Sequence, residues 1–127
     1  MSYDSKALVS VSFPVVLTTL TYPWQASKSG HVFDIQMSTT TTWAGTTPGR
    51  IDVGVLGALN KFATLSTGVT AAGQGKSARY LNTPPANAVL PHADFKAGEQ
   101  LLITYVPPVG GAPAGAGYVT VTFQLDP

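Results

Sequence analysis

An all-β sandwich of jelly-roll type, with about eight antiparallel strands joined by long loops, is the fold this sequence predicts. Three observations lead to it. Apolar residues recur at every second position in block after block, glycine and proline punctuate those blocks, and no stretch of convincing length keeps a helical period.

The first block sets Val9, Val11 and Phe13 against Ser10 and Ser12, so one face of a strand turns to a core and the other to water. Phe33, Ile35 and Met37 alternate with Asp34 and Gln36, and Ile51, Val53 and Val55 repeat the pattern. The cleanest case closes the chain: Val119, Val121, Phe123 and Leu125 alternate with Thr120, Thr122 and Gln124. Residues 101–106 form an apolar run broken only by Thr104, which fits a strand buried on both faces or one that meets a partner subunit. Pro14, Pro23, Gly30, Gly45, Pro48-Gly49 and Gly57 separate the blocks. A short helical turn is expected only within residues 56–65. The four threonines at 39–42 suit a strand with two neutral faces, at an exposed edge or against another protein. Two long loops are expected, residues 67–87 and residues 107–117, the latter spelling PPVGGAPAGAG. Loops of that length are surface connections or contacts with a neighbouring subunit.

The 127 residues make one domain, 1–127, large enough for a core without staples. Hydrophobic residues supply 44% and charged residues only 10%, where about 25% is usual. Serine and threonine must therefore carry the surface. The seven Lys and Arg residues are scattered, so no phosphate-tracking patch and no polybasic membrane anchor is expected. No apolar stretch approaches the roughly 20 residues of a membrane span. The start, Met1-Ser2-Tyr3-Asp4, lacks the features of a signal peptide, which leads to the expectation of a protein made in the cytoplasm and carried out only by an assembly. Residues 1–6 are expected to form a flexible arm that orders on a neighbour.

Little chemistry is on offer. Without cysteine there is no thiol nucleophile, thiolate metal site or disulfide. Gly73-Gln74-Gly75-Lys76-Ser77 has the end of a phosphate loop, but Thr70 stands where the pattern needs its first glycine. His31 and Asp34, three apart, fall on opposite faces of a regular strand, and His92 with Asp94 forms a surface pair lacking a third group. Six acids and no strand–elbow–helix serine leave little material for tuning a catalytic group. No catalytic, cofactor-binding or metal residue is expected, and no enzyme.

The block from Arg50-Ile51-Asp52-Val53-Gly54-Val55-Leu56-Gly57 to Phe62-Ala63-Thr64 resembles a V-x-V-G-x-x-G-x-x-x-x-F stretch of small virion proteins from tailed bacteriophages. The turn Ala97-Gly98-Glu99, the run LLITYVPP, the Gly/Ala-rich loop and the ending GYVTVTFQL are similar to the same layout, as are SVSFPVVL and HVFDIQM near the start. The resemblance covers most of the chain, as a pattern, and is to the head-decoration or capsid-cement type. It implies a structural role on the capsid exterior, the major capsid protein as partner, a homotrimer, no nucleic acid and no cofactor. Leu59-Asn60 departs from the acidic residues common there.

The residues expected to meet a partner are Tyr22, Trp24 and Trp43, near turns, with Pro107, Pro108 and Val109 of the second loop. The same aromatics are equally suited to a core. The alternative function is a receptor- or carbohydrate-binding module of a fibre or tail, or a minor capsid or tail subunit.

Overall fold

A computed structural model describes residues 7–68, 71–79, 88–89 and 94–127. Among them run nine strands: β1 (Ala7–Val15), β2 (Leu20–Gln25), β3 (Gly30–Ala44), β4 (Arg50–Val55), β5 (Ala58–Ser66), β6 (Gly75–Arg79), β7 (Ala88–Val89), β8 (Gln100–Val106) and β9 (Ala114–Leu125). They form two antiparallel sheets, one ordered β1-β9-β3-β6 and one ordered β2-β8-β4-β5-β7. With the two-residue β7 set aside, the pairing is that of one long hairpin: β1 with β9, β2 with β8, β3 with β6 and β4 with β5. Wrapping it so that β9 also meets β3 and β8 also meets β4 gives the jelly roll. The expected fold class holds, and the ninth strand is the short β7.

Period-two patterning places the core. Phe13, Val15, Val32, Ile35, Met37, Val119, Val121, Phe123 and Leu125 from one sheet face Ile51, Val53, Leu65, Leu101, Ile103 and Tyr105 from the other, all buried. Aromatic rings close the space between the edges. Trp24 stacks on Phe123 with centroids 3.9 Å apart, Phe95 meets Trp24, Phe62 and Phe123 edge-on, and Tyr22 stacks on Phe13. Gly115 holds a positive φ of 150°, and a Cβ there would lie 1.9 Å from Trp43 Cε3, so only glycine lets β9 cross the indole.

Three local expectations are corrected. Residues 56–65 make no helical turn: Gly57, at φ 88°, turns β4 into β5, and the apolar spacing belongs to a hairpin whose register shifts after Val53. The second loop ends at Pro113, because Ala114, Ala116 and their glycines pair with β3 as the start of β9. Within residues 67–87, Gly75–Arg79 is a strand on the edge of β3, and residues 69–70 and 80–87 lie outside the described residues. Of the threonines at 39–42, Thr39 exchanges backbone bonds with Gln74 and Gly73 beyond the end of β6, Thr42 Oγ1 accepts from Ala72 N, and Thr40–Thr42 are exposed on a stretch that, among the described residues, only β9 flanks as a strand.

A β-bulge changes one further reading. Between Val32 and Asp34 the register slips by one, so His31 pairs with Gln124 and Asp34 with Thr122. Gln124 and Thr122 share a face of β9, so His31 and Asp34 share the outer face of their sheet instead of opposing one another. Val32 takes the core position and Phe33 is displaced to half-burial. His92 lies outside the described residues, as does the arm at 1–6.

Candidate docking surface

The strand registers bring four connections to one end of the sandwich. Val15 pairs with Gly117 and Leu20 with Tyr105, which puts residues 16–19 beside the β8–β9 connection, residues 107–113. Ala44 pairs with Ala114, and Arg50 with Val106 and Ser66, which adds residues 45–49 and the exit from β5. Hydrogen bonds tie them together. Thr47 N donates to Val109 O at 2.9 Å, Val109 N returns a bond to Thr47 O at 3.0 Å, and Thr46 N donates to Gly110 O at 3.2 Å. Thr67 N donates to Gly49 O at 2.9 Å, while Gly49 N donates to Thr67 Oγ1 at 3.1 Å. The Tyr105 hydroxyl donates to the Val16 carbonyl and anchors the β1–β2 corner to the other sheet. Burial of that phenol pushes its pKa up to about 12.

The connections gathered here carry no charge, although Arg50, 52% exposed, opens β4 beside them. Residues 16–19 (VLTT), 45–49 (GTTPG), 67–74 (TGVTAAGQ) and 107–113 (PPVGGAP) contain no Lys, Arg, Asp, Glu or His. They do carry exposed aliphatic side chains: Val16 is 55% exposed, Leu17 44% and Val109 52%. The opposite end holds Lys28, Asp94, Lys96, Glu99 and Asp126, joined through backbone bonds such as Asp126 N to Ser29 O and Ala26 N to Glu99 O. Exposed aliphatic side chains occur at that end too, at Leu8 near the start of β1 and at Leu56 in the β4–β5 turn, so what distinguishes the first end is that its connections lack charge.

The sequence-predicted contact residues divide accordingly. Val109 projects from the uncharged pole, Pro107 is half-buried and Pro108 is buried beneath it. Trp43 is corrected to a core residue: it is fully buried, and its Nε1 donates to Thr39 Oγ1 at 3.0 Å. Its neighbours in sequence, turn-like in composition, belong to a strand that turns the indole inward. Tyr22 is exposed and Trp24 half-buried, both on the core-facing side of β2 below the pole, in register with Ile103 and Leu101. The structure adds Val16, Leu17 and Tyr118, none singled out from sequence. Parity with Val119 places Tyr118 on the outer face of β9, where it is exposed. Val16 and Leu17 are legible as apolar residues lying between two strands with no partner in the alternation.

An open depression of about 580 Å³ lies elsewhere, lined by Arg50, Asp52 and residues 56–60. Its polar groups are engaged with one another. Arg50 Nε donates to Asp52 Oδ2 at 2.9 Å, and Thr64 Oγ1 donates to Asp52 Oδ1 at 2.6 Å. Among the described residues no three or more His, Asp or Glu side chains gather as a metal site, and no helix is long and apolar enough to cross a membrane.

No family model matches the chain, and no curated protein does. Among solved structures it is similar to a chain of the acid-stable capsid of Helicobacter pylori bacteriophage KHP30, at 12% identity and a TM-score of 0.49, covering 97% of this chain and 94% of that one. It is also similar to a chain of the cyanophage Pam1 capsid, at 14% identity, 98% and 89% coverage and a TM-score of 0.45. A third likeness is to a chain of the Bacillus endospore appendages, at 13% identity, 98% and 91% coverage and a TM-score of 0.36.

Proposed function

We propose that this chain is a non-enzymatic structural protein of a phage virion that decorates and stabilises the outer surface of the capsid, docking on the major capsid protein through its uncharged pole. The observation that carries the reading is this set of neutral connections: four of them, without an ionisable side chain, surround Val16, Leu17 and Val109. Burying such a surface strips water from no ion, so its apolar gain is not cancelled by desolvation. Three side chains, each about half exposed, give roughly 2–4 kcal/mol on full burial. That is weak for one copy. Three copies in the trimer that the resemblance implies would engage a symmetric lattice together, and their contacts multiply. The hydrogen bonds between connections hold the pole in one shape, so little ordering entropy is lost on docking.

A carbohydrate-binding module would set an aromatic platform in water. Neither tryptophan provides one, since Trp43 is buried and Trp24 lies against Phe123.

The test is co-sedimentation with purified undecorated capsids. Wild-type chain is expected to pellet with the particles, and Leu17→Lys combined with Val109→Lys is expected to lower occupancy at least tenfold at equal concentration. Full occupancy by the double variant would overturn the reading.

A further inference from the structure

β1 and β2 are both edge strands, at the ends of their sheet orders. Residues 7–27, which include both, contain no charged side chain. Long uncharged edges are templates for further pairing, and proteins blunt them with charge or proline. Here proline is the device. Pro23 sits in the middle of the six-residue β2 and removes a donor there. Pro14 sits near the end of β1 and leaves residues 7–13 clear.

The same proline tells which groups face outward. Pro14 pairs with Tyr118 of β9, and a proline in a paired strand is tolerated where its nitrogen looks away from the partner. Alternation then gives Ser12, Ser10 and Leu8 the same orientation. Among the described residues, their N–H and C=O groups form the open edge, with Ser10 at its middle. On the core side, Val9 and Val11 are only half-buried, although they face Phe123 and Val121. On the outer side, Ser10 and Ser12 bond to Thr122 and Thr120, each at 2.8 Å, which holds the edge flat against β9.

We propose that β1 is an interface between two copies of this chain, paired antiparallel across a two-fold axis at Ser10. In that register Ser10 meets its own counterpart, Leu8 meets Ser12, and Val9 meets Val11. All three outward donors of each copy find acceptors, and no charges oppose one another. The contact covers Val9 and Val11 and joins two four-stranded sheets edge to edge. A second copy is favoured over an unrelated strand because residues 7–13 carry neither charge nor proline, so two such edges set no like charges against each other and interrupt no ladder. The contact leaves the uncharged pole of each copy uncovered.

The chain has no cysteine, so a single introduced thiol reports the contact directly. Residues opposed in a hydrogen-bonded antiparallel pair have Cα atoms about 5.5 Å apart, within disulfide range. Full-length Ser10→Cys under mild oxidation is expected to yield a disulfide-linked species of twice the chain mass at least tenfold faster than Ser38→Cys, an exposed serine on β3 remote from this edge. Ser10→Lys places like charges at the axis and is expected to raise the dissociation constant of the pair at least tenfold by sedimentation equilibrium, with an unchanged circular-dichroism spectrum. Equal cross-linking of the two cysteine variants, or self-association that survives Ser10→Lys, would overturn the proposal.

Discussion

The Tyr105 hydroxyl makes the stability of this protein sensitive to alkali in a calculable way. The side chain is fully buried between the sheets, its hydroxyl donates to the Val16 carbonyl, and its pKa stands at about 12 against 10.0 for a free phenol. The folded state therefore holds the proton more tightly than the unfolded state. Stability from this group is complete below about pH 10 and is lost as pH rises through the folded value. Linkage across that gap gives a loss of about 1.4 kcal/mol by about pH 11 and about 2.3 kcal/mol by about pH 12. Tyr105→Phe removes the titrating group together with the hydrogen bond. At neutral pH its expected effect is about 0.5–1.5 kcal/mol, because Val16 lies at the surface and water can take up the freed carbonyl. The assay is urea unfolding of wild type and variant at steps from about pH 8 to about pH 12, with the difference between the two curves taken at each step. That difference cancels every other titrating group. It should shrink above about pH 10 and then reverse sign. Parallel stability curves across that window would refute the placement of the phenol.

Two further substitutions test the packing beneath the uncharged pole. Gly115→Ala drives a Cβ into the Trp43 ring at a backbone angle that disfavours side chains, so a loss of about 3 kcal/mol or more is expected in equilibrium unfolding. Thr39→Val keeps the shape but leaves the buried Trp43 Nε1 without an acceptor, for an expected loss of about 1–3 kcal/mol, read by denaturant midpoint and tryptophan emission.

The alternation of side chains made the sheets legible, and its failures mark where backbone geometry departs from a regular strand. Val9 to Phe13 and Val119 to Leu125 lie where period two puts them. Phe33 does not, because a bulge inserts a residue that no spacing rule announces, and that bulge brings His31 and Asp34 onto one face. The β4–β5 hairpin carries apolar residues at helix-like spacing because its register shifts after Val53 and brings Phe62 into the core beside Phe95. Trp43 resembled a surface aromatic because glycine and threonine surround it. Those residues are there to admit the indole: Gly115 leaves room for the ring and Thr39 accepts its proton. The uncharged pole was present in the sequence only as four separate neutral stretches, at residues 16–19, 45–49, 67–74 and 107–113. Nothing local says that they meet. Long-range pairing of β1 with β9 and β2 with β8 assembles them.

That assembly also gives the molecule a direction. A sandwich with scattered charge docks poorly in any orientation, because each approach strands some ion away from water. Here Lys28, Lys96, Glu99, Asp94 and Asp126 sit at the end opposite Leu17 and Val109, and the nearest cation to those side chains' connections, Arg50, is paired with Asp52, so burying the connections strips no unpaired ion. Docking by the uncharged pole keeps the charged pole in solvent, where it opposes stacking of a second layer. The β1 edge runs along the side of the sandwich from one pole to the other, so pairing through it sets two uncharged poles at opposite ends of the pair when the strands run antiparallel. A single capsid surface would then engage one pole of each pair. This makes the two contacts rivals on a flat lattice, and it predicts that capsid binding dissociates pairs formed in solution: mixing cross-linked Ser10→Cys with particles should give at most half the occupancy per chain that the reduced protein reaches. Equal occupancy of the linked and reduced forms would show that the pole and the edge do not have this geometry.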